Sequence, residues 1–172
     1  ITQAKALLRL NNRERIEAFL PQLEELTERY PAMSYPGYFY GKLLLSLGEM
    51  NAEALQALIP FARRKASEFW VWQLLSEAFA NEEDKQLACL LRAVHCRTQE
   101  SFLGKVRTKL AALYIQNQWF DLAKFQIEKV IQEYQTQGWH IPKDVANWSR
   151  NPWMETAKAC NKAPLDYKSI TD

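Results

Sequence analysis

The chain has 172 residues, of which 48% are hydrophobic and 24% charged, a composition typical of a globular protein. Its 22 Lys and Arg residues against 20 Asp and Glu residues leave a formal net charge of +2. This excess is too small to predict a general attraction to nucleic acid or to an anionic membrane. The three cysteines are odd in number and show no CxxC spacing, which favours a reducing, cytoplasmic location.

The start of the sequence does not have the pattern expected of a signal peptide. The first ten residues, ITQAKALLRL, interrupt their apolar positions with Lys5 and Arg9, which argues against a signal peptide or a membrane span. An apolar run of the length that a membrane span needs, about 18 residues, does not occur elsewhere. Because the sequence begins with Ile1 and ends on SITD without a clear stop, we expect it to be part of a longer protein.

Helix is the dominant pattern along the chain. Glycine is scarce, at 5 residues, and the apolar residues recur at steps of three and four, as one face of a helix requires. The pattern predicts helices at residues 2–11, 13–29, 35–48, 51–65, 68–80, 83–97, 101–117, 119–136, 143–149 and 152–160. Since proline cannot donate the hydrogen bond of a helix interior, we expect Pro31 and Pro36 to close the first helix pair and Pro60 to bend its own helix.

A period of 35 residues runs through the predicted helices. Large side chains recur at Tyr40, Leu75 and Leu110, at steps of 35 residues, and each is followed directly by a small residue. The second helix of each predicted pair carries an alanine at a matching position, and these are Ala18, Ala54, Ala88 and Ala123. Small residues let two helix backbones approach closely, so this spacing predicts stacked helical hairpins.

The pattern resembles the tetratricopeptide repeat (TPR), in which a large–small pair is followed by an aromatic residue, a turn, an alanine and further apolar residues. Residues 110–130 match it best, whereas Arg92 replaces an apolar residue in the third unit, and in the first unit only Ala6 and Ala18 fit. Over residues 1–136 the resemblance implies an all-α fold, a right-handed superhelical stack of about four TPR-like helical hairpins. An irregular helical bundle with accidental spacing and a related solenoid with a different twist stay open as alternatives. The residues expected in the core are Leu75, Phe79, Leu110, Tyr114 and Ala123.

The chain after Gly138 differs in composition from the repeats. Trp139, Trp148 and Trp153 lie close together and are interleaved with prolines. A stack of repeats needs an end cap, because its last hairpin otherwise exposes an apolar face. We therefore predict a Trp-rich helical cap at residues 137–162 that folds back on the helix at 119–136. In the rival interpretation the tail is a free binding arm with exposed tryptophans.

The last ten residues, 163–172, are predicted to be a linker to a further C-terminal region, because their apolar content is low. The tail is also similar to the stretch that joins such repeats to a small cold-shock-like β-barrel in some uncharacterised bacterial proteins. From that similarity we also expect a bacterial origin, and it supports an association with nucleic acid as an alternative function.

Residues that could carry catalysis are few and form no recognisable constellation. His95 and Cys96 are adjacent, so they would point about 100° apart on a helix. Cys89 and Cys96 share a helix face, but with one histidine nearby they make an incomplete zinc site, and buried packing cysteines are the favoured interpretation. Neither a glycine-rich phosphate loop nor a zinc-protease helix is present. We therefore expect no enzyme activity, no metal, no cofactor, no small-molecule substrate and no membrane partner.

In the TPR family the first helix of each pair lines a concave groove that binds peptides. By that resemblance the groove residues here are Tyr35, Tyr38, Lys42, Trp70, Gln73, Glu77, Lys105, Thr108 and Lys109. Aromatic residues beside cations suit a peptide with apolar and acidic side chains. The leading hypothesis is therefore a protein–protein interaction scaffold that is part of a larger protein or complex. The opposing interpretation is that the aromatic residues only pack between repeats.

A nucleic-acid-associated module is the alternative hypothesis. Its candidate residues are the basic Arg63, Arg64, Lys65 and Arg107 and the tail residues Trp148 and Trp153. If these came together, they would bind single-stranded RNA or DNA through phosphate contacts and base stacking. The opposing interpretation is that the charges form a solvated helix face. Binding that weakens with salt would favour nucleic acid, and binding that survives high salt would favour a protein ligand.

Overall fold

The structure is a computed structural model that describes residues 1–48 and 50–172. These residues form eleven α-helices and one short 3-10 helix and contain no β-strand, which confirms the all-α class. The helices are α1 (Thr2–Leu10), α2 (Arg13–Arg29), α3 (Ser34–Leu47), α4 (Asn51–Arg64), α5 (Phe69–Ala78), α6 (Glu83–Val94), α7 (Gly104–Gln116), α8 (Phe120–Gln137), α9 (Lys143–Trp148), α10 (Trp153–Thr156) and α11 (Tyr167–Thr171), with the 3-10 helix at Glu100–Phe102. Within the same residues, none of the helices has both the length and the hydrophobicity that a bilayer crossing requires.

The observed helices agree closely with those predicted from periodicity. Every predicted helix is present, and the largest difference in an end is that α10 stops at Thr156 rather than at residue 160. Local capping explains several ends. The side chain of Asn12 accepts a hydrogen bond from the backbone N–H of Arg15 at the start of α2. Gly48 and Gly138 end α3 and α8 in the left-handed conformation, which glycine adopts without a steric penalty.

One proline differs from its expected role. Pro36 does not separate helices but lies in the first turn of α3. An N–H group in the first turn has no partner within the helix, so its absence in proline costs no hydrogen bond there. Pro31 lies in the turn before α3, and Pro60 lies inside α4. The turn between α2 and α3 therefore contains Pro31 but not Pro36.

The chain divides into two compact units, of which the first comprises Ile1–Ala66 and Glu77–Asn81. In this unit α3 packs along α4, and α2 also packs on α3. The α3–α4 contact is close because α3 carries Gly41 there. A Cβ atom at Gly41 would lie 2.6 Å from the Cγ of Leu58 and 3.0 Å from the carbonyl oxygen of Ala54. The small residue that the period predicted after Tyr40 is thus required by packing.

The second unit comprises Ser67–Ser76 and Glu82–Asp172. In it α7 packs along α8, and α6 packs on α7. Four of the five residues expected in the core are buried here, namely Leu75, Leu110, Tyr114 and Ala123. The fifth, Phe79, belongs to the first unit and is half-buried. Burial raises the pKa of Tyr114 to about 12.

The small positions of the predicted period are buried in all pairs except the first. Three of the four matching alanines are fully buried, namely Ala54, Ala88 and Ala123. In the first pair the small positions Ala6 and Ala18 are exposed, and burial is shifted by two residues to Ala4 and Ile16. The predicted register would have placed the charged Lys5 at a large core position, which is unfavourable without a partner. The first pair therefore departs from the repeat register.

The tail folds back along α8. Helices α9 and α10 contact α8, and Trp153 stacks on Phe120 with ring centroids 4.8 Å apart. Trp148 packs against a buried cluster contributed by α7, α8 and α9. The Nζ of Lys124 donates a hydrogen bond to the carbonyl oxygen of Met154 at 2.7 Å. Trp148 and Trp153 are half-buried as a result, so they are not the exposed residues of a free binding arm.

The last ten residues are not the linker that the sequence predicted. Helix α11 packs on α6, and Tyr167 is 9% exposed, with its ring stacked on that of His95 at 5.0 Å. Asp172 accepts a hydrogen bond from Arg92 at 3.3 Å. A five-residue helix is too short to produce a periodic signal, and a single aromatic residue anchors it. The segment therefore belongs to the second unit.

Candidate partner-binding surfaces

Tyr35, Tyr38 and Lys42 lie on one side of α3, and we refer to these three residues as the α3 face. Tyr38 is buried, and its ring centroid lies 4.7 Å from that of Phe61 in α4. Tyr35 is 47% exposed and lies 5.7 Å from Phe61 and 6.3 Å from Tyr38, measured between ring centroids. The Nζ of Lys42 donates a hydrogen bond to the hydroxyl of Tyr38 at 3.4 Å and lies 5.6 Å from its ring centroid.

This arrangement gives the α3 face an exposed ring that is fixed in place. Because Tyr38 and Phe61 support Tyr35 from inside the unit, binding a ligand would restrict few additional side-chain rotations. The ammonium group of Lys42 lies over the ring of Tyr38, where cation–π attraction favours its position. The face can therefore offer an apolar contact and a positive charge to one ligand.

The other residues predicted for the groove are divided between the two units. Glu77 is exposed and belongs to the first unit, while the rest belong to the second. Of these, Lys105 is exposed, and the half-buried ones are Trp70, Gln73, Thr108 and Lys109. The hydroxyl of Thr108 donates a hydrogen bond to the carbonyl oxygen of Gly104 at 2.7 Å, within α7. We take the α3 face as the candidate site, because its rings and its ammonium group contact one another.

The basic residues Arg63, Arg64 and Lys65 are all exposed at the C-terminal end of α4 in the first unit. Cations at this end of a helix compensate the partial negative charge of the last carbonyl groups. The Nε of Arg64 donates a hydrogen bond to the carbonyl oxygen of Pro60 at 3.2 Å. The position of these cations at the end of α4 therefore has a structural role that requires no ligand.

Arg107 does not face solvent, as phosphate binding would require. It is 9% exposed, and its guanidinium group donates hydrogen bonds to both carboxylate oxygens of Glu100. A further bond from the same group reaches the amide oxygen of Gln126 in α8 at 2.7 Å. These partners satisfy a buried charge that would otherwise be costly. The structure therefore corrects the assignment of Arg107 to phosphate binding.

A surface groove that the sequence analysis missed lies in the tail. It has a volume of about 580 Å³, and we call it the tail groove. Its lining residues are Trp139, His140, Ile141, Lys143, Ala146, Asn147 and Arg150. Trp139 is 46% exposed, in contrast to the half-buried Trp148 and Trp153. The spacing of Lys143, Asn147 and Arg150, which places them on one side of a helix, is the signal that could have revealed it.

The cysteines show no sign of activation. Burial raises the pKa of Cys89 to about 12, so its thiol stays protonated and unreactive near neutral pH. The pKa of Cys96 is raised mainly by burial, while the Arg92 guanidinium lowers it and the Glu68 carboxylate raises it. Within residues 1–48 and 50–172, no group of three or more His, Cys, Asp or Glu side chains is arranged to hold a metal ion.

Comparison with known proteins identifies a family. Residues 34–172 match the family model described as a domain of unknown function, DUF7017. The match covers more than half of the chain and extends from the start of α3 through α11, while α1 and α2 precede it. No curated protein and no solved structure matches the chain. By the extent of the family match, the chain belongs to the DUF7017 family.

Proposed function

We propose that this chain is a protein-interaction module rather than an enzyme, and that its α3 face binds a peptide segment of a partner protein. The observation that carries the proposal is the pairing of two groups on the α3 face: the exposed ring of Tyr35, which contacts Tyr38 and Phe61, and the ammonium group of Lys42, which lies over the ring of Tyr38. Rigid aromatic side chains of this kind dominate the binding energy of many protein interfaces.

We also propose the finer architecture that the TPR resemblance implies, a right-handed superhelical stack of helical hairpins that acts in the cytoplasm as part of a larger protein or complex. Its support is the 35-residue period together with the complete burial of Ala54, Ala88 and Ala123. The close approach of α3 to α4 at Gly41 is the packing that such hairpins require.

The α3 face specifies the chemistry of its ligand. Tyr35 suits an apolar or aromatic side chain, and Lys42 suits a carboxylate, which it can approach while it stays on the ring of Tyr38. The two residues are seven positions apart on α3, which corresponds to about 10 Å along the helix. An extended ligand would therefore carry its apolar and acidic side chains about three residues apart. A helical ligand would carry them about seven residues apart.

Selection from a displayed library of random peptides tests the proposal. The wild-type protein should enrich peptides with an apolar and an acidic side chain at one of these two spacings. An enriched peptide should bind about tenfold or more weakly to Tyr35→Ala and to Lys42→Gln, because each substitution removes one of its two contacts. Isothermal titration with a synthetic copy of the peptide measures the change.

Tyr30→Ala is the matched control. Tyr30 is 42% exposed, close to the value for Tyr35, but it ends α2 and is not part of the α3 face. Its substitution should leave peptide affinity unchanged. The proposal fails if no peptide is enriched, or if the enriched peptides bind equally well to the Tyr35 and Lys42 variants.

A further inference from the structure

We propose that the tail groove binds single-stranded nucleic acid, with a base stacked on Trp139 and phosphate groups held by Lys143 and Arg150. The residues of this site differ from those of the α3 face, so the inference does not rest on the function proposed above. It also differs from the site that the sequence suggested, which combined Arg63, Arg64, Lys65 and Arg107 with Trp148 and Trp153. Of these, Arg107, Trp148 and Trp153 are occupied in packing.

Trp139 is held on one side and open on the other. After the left-handed turn at Gly138, the backbone N–H of Trp139 donates a hydrogen bond to the carbonyl oxygen of Tyr134 at 2.8 Å. The two aromatic rings meet edge to face, with centroids 5.4 Å apart and an interplanar angle of 86°. Even so, Trp139 remains 46% exposed. A ring fixed in this way and open to solvent can serve as a stacking platform for a base.

Helix α9 and the turn after it supply the polar wall of the groove. Lys143 and Asn147 lie one turn apart on α9, and the backbone N–H of Arg150 donates a hydrogen bond to the carbonyl oxygen of Asn147 at 3.2 Å, which keeps Arg150 near the helix end. Ala146 lies between them and is small, so it leaves the groove open. The side-chain amide of Asn147 offers both a donor and an acceptor to a base edge.

The charges of the groove favour a polyanion. Its lining includes two basic residues, Lys143 and Arg150, together with His140, and it includes no carboxylate. Asp144 lies in the first turn of α9 but does not line the groove. An acidic peptide would also contact the two cations, but it would stack on the flat face of Trp139 only where it carries an aromatic side chain, whereas every base of a nucleic acid has a flat face. A single-stranded nucleic acid uses both features, because its bases stack and its phosphates carry charge.

Fluorescence anisotropy of labelled oligonucleotides tests the proposal with the full chain. Single-stranded RNA or DNA of mixed sequence should bind, and the logarithm of its association constant should fall linearly with the logarithm of the salt concentration. A duplex of the same length should bind more weakly, because its bases are already stacked. Equal binding of duplex and single strand overturns the proposal, as does the absence of single-strand binding at low salt. Binding of a labelled poly-glutamate peptide without oligonucleotide binding also overturns it.

Substitutions locate the site. Trp139→Ala should weaken oligonucleotide binding about 5- to 150-fold, as expected for the loss of one stacked base. The double variant Lys143→Gln with Arg150→Gln should reduce the steepness of the salt dependence by about 1.4, since each phosphate contact to a single strand contributes about 0.7. Both replaced cations are exposed, so this variant is expected to fold normally, which circular dichroism can verify.

Trp119→Ala and Lys158→Gln are the matched controls. Trp119 is 39% exposed and Lys158 is exposed, but neither lines the tail groove. Both variants should bind as the wild type does. The proposal is overturned if the control variants weaken binding as much as the groove variants do, or if the double variant keeps the wild-type affinity and salt dependence.

Discussion

Two glycines of α3 provide a sharp test of the hairpin packing in the first unit. A Cβ atom added at Gly41 would lie 2.6 Å from the Cγ of Leu58 and 3.0 Å from the carbonyl oxygen of Ala54, which is closer than packed atoms tolerate. A Cβ atom added at Gly37, one turn earlier, would meet its nearest neighbour, a methyl carbon of Thr27, at an ordinary 3.6 Å. Gly41→Ala and Gly37→Ala therefore differ in packing but hardly in helix propensity.

The expected free energies follow from these distances. Alanine is favoured over glycine within a helix by up to about 1 kcal/mol, and both variants share this gain. Overpacking a tight contact costs about 1–3 kcal/mol, and only Gly41→Ala incurs it, because Leu58 is 2% exposed and has little room to move. Gly37→Ala should therefore stabilise the first unit slightly. Gly41→Ala should be less stable than Gly37→Ala by about 1–3 kcal/mol.

Urea unfolding followed by two probes measures this difference. All six tryptophans belong to the second unit, so their fluorescence reports on that unit, whereas far-UV circular dichroism reports on helices of both. The midpoint of the circular-dichroism transition should be lower for Gly41→Ala than for Gly37→Ala. Equal midpoints for the two variants would refute the close approach of α3 and α4 at Gly41.

Three further predictions concern the second unit. Leu110→Ala should lower the free energy of unfolding by about 2–5 kcal/mol in a urea titration, because the side chain is fully buried. A loss well below 1 kcal/mol would contradict that burial. Arg107→Met should lower the free energy of unfolding by about 2–3 kcal/mol, because it leaves Gln126 buried without its hydrogen-bond partner. Oligonucleotide binding should stay at the wild-type level. A variant that lost oligonucleotide binding but kept its stability would contradict the structural role of Arg107. Burial raises the pKa values of Cys89 and Tyr114 to about 12. The free energy that these two groups contribute to folding is therefore fully present below about pH 9 and is lost as the pH rises towards 12, because the unfolded chain releases these protons first. Cys89→Ala should make that loss less steep by up to about 1.4 kcal/mol per pH unit, and an unchanged profile would exclude the cysteine as its source.

Local pattern was sufficient to predict most of the helices, and the resemblance to the TPR family supplied the residues of the α3 face. Helix boundaries depend on neighbouring residues, such as Asn12 at the start of α2 and Gly138 at the end of α8. The fixed spacing of Tyr35, Tyr38 and Lys42 likewise placed them on one side of α3 before any contact was known. What the spacing could not supply was their unequal exposure, which depends on Phe61 of α4.

The register of the first helix pair and the tail groove could not be predicted from the sequence, because both depend on tertiary packing. Ala18 fits the period, yet the structure exposes it and buries Ile16 instead. In the tail, the three tryptophans looked equivalent in the sequence. Trp148 and Trp153 pack against the cluster that includes α8, and Trp139 remains open to solvent. A tryptophan of the tail is available to a ligand only if it does not pack against the apolar surface that other helices form. The sequence does not show which of the three tryptophans meets that surface.

The sequence by itself determined the helices, their 35-residue period and the small residues at their closest contacts, because these properties repeat at short spacing along the chain. The tertiary structure alone decided whether residues outside the repeat pattern are buried or exposed. Arg107 is buried because Glu100 and Gln126 meet its guanidinium group, and Tyr167 is buried because α11 packs on α6 beside His95. Each of these pairings occurs once in the chain, so no periodicity records it. Whether such a residue is buried depends on the surface that the folded chain places opposite it.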